Sequence, residues 1–309
     1  MLVIGDVHGD LAALKTALRI AKVSDGVSWT GGKTVLVQMG DIMDRGEEDL
    51  AAEMLLFKLE AEAEEAGGKI YRMLGNHEMM NCMGTQRDAH SEAHVPFLDL
   101  TDSFSGIIER YRPYLTSQGI PAKQHARTAA FLPGGPLAAH MASHSVALVI
   151  ADTLFVHAGL KPEHLEPQNC GDHADATDCL NFLNQHSHGY LTGQTSLNRT
   201  LLMSSQAPLW ARHYSEWGMT SLPKDREADL DKVLQLTGTK RMVVGHSVQR
   251  QGINSANGKI WRCDTGMTAS IGGVPEVLEI LGGSDLFVLS SAQGGPANLT
   301  AAQRTYPGT

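Results

Sequence analysis

Apolar runs in this chain are short, and one after another they end in glycine followed by a polar residue. Residues 2–4 (LVI) predict a short buried strand, and the amphipathic stretch 10–23 predicts a helix with Asp10 placed to cap it. The run 34–41 (TVLVQMGD) predicts a second strand opening into a loop. Residues 47–68, rich in Ala, Leu and Glu and stopped by Gly67-Gly68, predict a second helix. Residues 69–78 (KIYRMLGNHE) predict a third strand that again runs into a Gly-Asn loop. Strand, helix, strand, helix, strand is the pattern of βαβ units, for which a largely parallel sheet is expected.

The character changes over 79–145, which holds Met79, Met80 and Met83, a helical stretch around FSGIIERYRPYL and the turn LPGGP. It reads as a helical insertion rising over the sheet edge, with the methionines filling core. Residues 145–160 predict a hairpin, and 163–235 are mixed and partly helical. Strands are predicted within 240–247, 259–266, 274–281 and 284–290, the last two joined through Gly282-Gly283 in a tight hairpin. One domain over 1–290 and a flexible Gly/Ala/Thr-rich tail over 291–309 follow from this order.

Composition adds bounds. At 309 residues the chain can bury a substantial core, and 42% hydrophobic with 19% charged residues is a globular balance. A formal charge of −9 argues against a nucleic-acid binder, which needs a basic face. No apolar run reaches the ~18 residues a membrane span needs. A strand starting at residue 2 leaves no room for a leader in this chain, so a cytoplasmic or organellar, non-secreted protein is expected. The sequons at Asn198 and Asn298 then read as chance matches. Of the four cysteines, Cys170 and Cys179 lie close enough for a bridge, but free thiols are expected in a reducing compartment.

The candidate chemistry lies in five polar signatures, each after an apolar run: GDVHG (5–9), GDIMDRG (40–46), GNHE (75–78), HAG (157–159) and GHS (245–247). Ligands collect beyond the carboxyl ends of strands in α/β sheets. Alone, Asp6 and His8 read as a turn or cap. Beside four further loops they read as ligands, because the combined inventory of carboxylate, imidazole and amide without thiolate suits two divalent ions of manganese, iron or zinc. Asp41 is placed to bridge them. Arg45 suits a bidentate phosphate clamp, and His77 a proton donor held by Asp44. His90, His94, His125, His140, His144, His164, His173, His186, His188 and His213 have no ligand context and read as solvated or structural, and Asp264 reads as a turn residue of CDTGM.

These motifs together resemble the phosphoprotein phosphatase family of metallophosphoesterases, and PLWARHYSE, GGKIYRMLGNHEMMN and VVGHSVQRQGIN with DTGM resemble its Shewanella-like branch, over residues 1 to about 281. The resemblance implies a calcineurin-like four-layer α/β/β/α sandwich with a helical insertion after the third strand. It implies two divalent metal ions, manganese foremost with iron or zinc as alternatives. Asp6, His8 and Asp41 would hold the first, and Asp41, Asn76, His157 and His246 the second. It implies phosphate binding by Arg45, Arg212 and Asn76, His77 with Asp44 as the acid pair, and a phosphoprotein or phosphopeptide substrate. A dinucleoside-polyphosphate hydrolase or a phosphodiesterase shares the same core site, while a non-catalytic scaffold would keep the fold without needing Asn76 and His77. The SAPNY-type element of eukaryotic relatives is absent, and CDTGM stands near its place.

Overall fold

The computed structural model describes residues 1–171, 175–216, 218–283, 285–291 and 301–305. In chain order the elements are β1 (Leu2–Ile4), α1 (Leu11–Ile20), β2 (Val35–Gln38), α2 (Asp49–Glu65), β3 (Lys69–Arg72), α3 (Asn76–Cys82), α4 (Ser105–Ser117), α5 (His125–Phe131) and α6 (Pro136–Met141). Then come β4 (Ala147–Ile150), β5 (Thr153–Val156), α7 (Ala176–Leu191), α8 (Arg199–Met203), α9 (Lys224–Thr237), β6 (Arg241–Val244), β7 (Asn254–Ala256), β8 (Ile260–Arg262), β9 (Glu276–Leu281), β10 (Asp285–Ser291) and β11 (Ala301–Thr305).

Two sheets form, in the orders β11-β10-β9-β1-β2-β3 and β4-β5-β6-β8-β7. The alternation of side chains along each strand explains why they stack. Val3, Val37, Phe155, Val243, Trp261 and Leu278 point into one apolar layer shared by the two sheets. Their neighbours Leu2, Ile4, Leu36, Leu154, Val156, Met242 and Val244 point the other way, into a second core that also takes Leu14, Leu18, Leu56 and Leu59 from α1 and α2. Sheets buried on both faces need helices outside them, and the result is the α/β/β/α sandwich.

The expectation of a largely parallel sheet needs correction. β1, β2 and β3 run parallel, but β9, β10 and β11 complete that sheet antiparallel. In the second sheet β5, β6 and β8 are parallel, with antiparallel β4 and β7 at its edges. Each sheet thus has a parallel triplet, and every polar signature follows a strand of one of them. The expected Gly-Asn loop is also wrong in part, since the chain turns directly into α3 at Asn76.

Two other expectations fall. Cys170 and Cys179 form a disulfide: the turn before α7 brings their Cα atoms to 5.0 Å, within bridging range, and both are fully buried. In the tail expected to fray, Ala301–Thr305 pair with β10. Residues 292–300 with Asn298, residues 306–309, His173 and Ser284 lie outside the described residues. Asn198 caps α8, its side chain accepting from Leu201 N at 3.1 Å. No helix among the described residues is long and apolar enough to cross a membrane.

Candidate metal centre

The parallel triplets end on the same side, and backbone hydrogen bonds stitch their loops together. Val7 and His8 both donate to Asp41 O, at 3.0 and 2.9 Å, and Gly245 N donates to His157 O at 2.7 Å. The loops are tight. Five of the eight non-glycine residues with positive φ among the described residues are predicted site residues: His8, Asp41, Asp44, Arg45 and His246. Such conformations cost of order 1–3 kcal/mol each and persist where the surroundings enforce them. Glycines make the close approaches possible. A Cβ on Gly75 would lie 2.1 Å from Asp41 Oδ1, and one on Gly245 would lie 2.3 Å from Asp6 Oδ1.

Asp41 is the hub. Its Oδ1 accepts from His77 N at 3.0 Å, and its Oδ2 lies 3.3 Å from His157 Nε2 and 3.7 Å from His8 Nε2. Burial pushes its carboxyl up, but the imidazoles of His157, His77 and His8 outweigh that and hold it well below the usual carboxylate range. Asn76 Oδ1 faces His157 Nε2 at 3.1 Å and His246 Nδ1 at 2.8 Å. Donor atoms of His8, Asp41 and His77, and again of Asp41, His157 and His246, lie within 4.8 Å of one another. Asp6 stands beside these triplets, its carboxylate accepting from His246 N at 3.0 Å.

The donor set fits divalent cations. His8 Nδ1 and His157 Nδ1 each face a backbone carbonyl, Met43 O at 3.0 Å and Met39 O at 2.8 Å, which fixes Nδ1 as donor and leaves Nε2 turned toward Asp41. His246 Nε2 is buried without a hydrogen-bond partner. Burial pushes the His246 imidazole down to about 2 and that of His8 to about 4, so both rings keep a free lone pair. Burial and the neighbouring Asp264 and Asp41 push Asp6 well above its ordinary value. Carboxylates crowded in this way call for positive charge between them.

His77 and Arg45 form a second unit. His77 Nδ1 lies 2.6 Å from Asp44 Oδ2, and its Nε2 lies 3.3 Å from Arg45 Nη2. Burial pulls this imidazole down, but Asp41 and Asp44 more than offset it and raise its pKa. Arg45 and Arg212 are exposed. Arg212 reaches in from the far side, donating to Ser247 Oγ at 2.6 Å.

The sequence reading missed the residues that hold this unit in place. Glu78 is buried and accepts four backbone N–H groups: Asp41 and Gly75 at 2.8 Å on Oε2, Ile42 at 2.8 Å and Met43 at 3.1 Å on Oε1. One carboxylate therefore shapes the Asp41 loop and caps α3. The signal was Glu at the third position of the helix, a capping position, though only the fold reveals the other three bonds. Asn81 holds Asp44 Oδ1 at 2.8 Å and is itself held by Arg127 at 3.2 Å. Asp264 does bond its own turn, at Gly266 N, but it is also buried beside Asp6, and burial raises it to about 6.

A family model described as calcineurin-like phosphoesterase matches residues 1–250. The chain belongs to that family. Within it, this phosphoesterase is 34% identical over 319 residues to Shewanella-like protein phosphatase 2 of Arabidopsis thaliana, covering 94% of this chain and 77% of the relative. It falls on the Shewanella-like branch. A shorter stretch of 85 residues is 39% identical to Shewanella-like protein phosphatase 1 of Plasmodium berghei, covering 27% of this chain and 24% of that one. A solved cold-active protein tyrosine phosphatase shares the fold, with a TM-score of 0.66 at 23% identity over 93% of this chain and 75% of the other. Family membership makes this phosphoesterase a hydrolase that uses divalent metals.

Proposed function

We propose that this chain is a phosphoprotein phosphatase, hydrolysing phosphate monoesters on serine and threonine side chains, with tyrosine as the alternative, by means of a pair of divalent ions, manganese foremost. Asp6, His8 and Asp41 would hold one ion, and Asp41, Asn76, His157 and His246 the other. Such ions polarise phosphoryl oxygens and lower the pKa of water. Residues 1–290 would act as one catalytic unit, with 79–145 as its cap. The observation that carries the reading is the Asp44–His77–Arg45 chain beside the Asp41 cluster. The 34% identity to a relative named a protein phosphatase supports the substrate class.

The side chains define the chemistry. In neutral His77 the Nε2 lone pair accepts from Arg45, while Nδ1–H points to Asp44. Protonation of Nε2 turns both groups into donors. They must then converge on a shared acceptor, and a phosphoryl ester supplies one: Arg45 takes non-bridging oxygens and His77 gives its proton to the departing oxygen. Asp44 stabilises the imidazolium throughout. Arg212 would neutralise charge from the opposite side of the cluster.

The test compares leaving groups. A general acid matters for a serine alkoxide and little for a nitrophenolate. His77→Gln is expected to lower kcat about 10²–10⁴-fold on phosphoserine peptides, with a much smaller loss on p-nitrophenyl phosphate. Equal losses on both would remove His77 from the acid role. Rapid turnover of diadenosine tetraphosphate with none of phosphopeptides, manganese being present, would overturn the substrate class.

A further inference from the structure

A second cluster of metal-type donors lies on other residues of the fold. Glu53 on α2 is fully buried, and its Oε1 faces His140 Nε2 at 3.0 Å and His144 Nε2 at 4.0 Å. The other carboxylate oxygen is taken by Arg72 at the end of β3, at 2.5 Å. His140 sits in the last turn of α6, and His144 follows four residues later, just past the helix end. His144 is only 4% exposed, and neither of its ring nitrogens has a hydrogen-bond partner. The rings of His140 and His144 meet edge to face, 5.5 Å apart. None of these residues belongs to the Asp41 cluster, and the sequence alone gave both histidines no ligand context.

We propose that Glu53, His140 and His144 form a zinc site separate from the catalytic pair. Two imidazoles and one carboxylate, with a His-x3-His spacing, are a zinc donor set. The three donor atoms already lie within 4.8 Å of one another. Zinc bonds of about 2.0–2.1 Å in a tetrahedron require donors about 3.3 Å apart, so a small rotation of His144 closes the site. The His140 side chain is 18% exposed, so water can supply a fourth ligand.

The electrostatics agree with this geometry. Burial opposes ionisation of Glu53, but Arg72 and the two histidines outweigh it and keep the carboxylate charged. Burial and Arg72 hold His144 neutral, with one ring nitrogen's lone pair available. The positive charge of Arg72 beside the cation is offset by Glu53 and by half-buried Glu60, which feels both Arg72 and His140. A buried imidazole with two idle nitrogens is costly unless something binds it. An ion there would tie α2 to α6, next to the point where Ser145 bridges Met73. Its role would be to clamp the base of the helical segment onto the catalytic sheet.

The experiment uses the full chain carrying Asp41→Asn, which weakens the catalytic pair, so that zinc at the second site is counted against a low background. Chelator-stripped protein is loaded with zinc, passed through a desalting column and assayed for metal per chain and for thermal midpoint. Parent protein is expected to keep one more zinc per chain than the same protein with His144→Phe, which keeps an aromatic ring but no ring nitrogen. Its midpoint should rise with zinc while that of the variant does not. Should His144→Phe fail to fold, His140→Gln at the more exposed ligand is expected to lose the same zinc. Equal zinc content and equal midpoint shifts in parent and variant would overturn the site, as would a parent that retains no zinc there.

Discussion

Arg127 gives the sharpest test of how the acid pair is held. It is 1% exposed and forms a bidentate pair with fully buried Asp49, at 3.0 and 2.7 Å. It also lies between Phe97 and Phe131, 5.5 and 4.9 Å from their ring centres. Arg127→Met fills that apolar slot but strands Asp49, so a loss of about 3–5 kcal/mol is expected. Asp49→Leu removes both short bonds of the guanidinium and leaves it Asn81, Ala93 O and the more distant Asp44, so its cost should be smaller. In the double variant the Arg127–Asp49 pair leaves no charge of its own, and the remaining cost is the weak Asp44 N bond to Asp49 at 3.4 Å, the lost donors to Asn81 and Ala93 O, and the more distant guanidinium that faced Asp44 at 3.9 Å, about 1–3 kcal/mol together. Urea unfolding in chelator, which removes metal linkage from the comparison, measures all four proteins. Two singles whose losses add in the double would refute the reasoning. The same geometry reaches catalysis: without Arg127, Asn81 loses its hold and Asp44 loosens, so kcat should fall in Arg127→Met even where the protein is fully folded.

Two further outcomes follow. Glu78→Gln keeps the shape, but its NH2 faces two backbone N–H groups, so the Asp41 loop shifts; kcat is expected to fall about 10–100-fold, more than stability does, and unchanged kcat would show that the four N–H bonds do not set Asp41. Burial lowers the His164 pKa to about 4, with its ring bonded between Lys161 N and Gln206 O. Because the folded value lies below the unfolded one near 6.5, the unfolded chain binds the extra proton between those values. Stability is therefore full above pH 6.5 and lost as pH falls toward 4; thermal midpoints across that window should slope less in His164→Gln, and an unaltered slope would assign the effect to other groups.

Much of this site is legible in the sequence because its chemistry sits at strand ends, where an apolar run followed by Gly and a polar residue marks both the strand and the loop. Asp6, His8, Asp41, Asn76, His157 and His246 share one region for that reason. Sequence could not reveal Glu78 shaping a loop 35 residues earlier, or Arg127 meeting Asp49 across 78 residues. Both contacts come from packing, and local patterns do not encode them. β7 escaped notice because Asn254–Ala256 is short and polar at a sheet edge, and the start of α3 because Gly-Asn also opens turns. The antiparallel half of the first sheet was hidden too, since alternation within β9 says nothing of its neighbour.

That neighbour is β1. Leu2 pairs with Leu36 on one side and with Glu279 on the other, and Asp6 receives its hydrogen bond from His246. β1 therefore keeps one flank bare until β9, more than 270 positions later in the chain, has been made. At about 5–20 residues per second, the 240 positions between Asp6 and His246 take about 12–50 s to translate. During that interval the flank of β1 that β9 will cover presents unpaired backbone N–H and C=O groups, an edge open to pairing with the wrong strand.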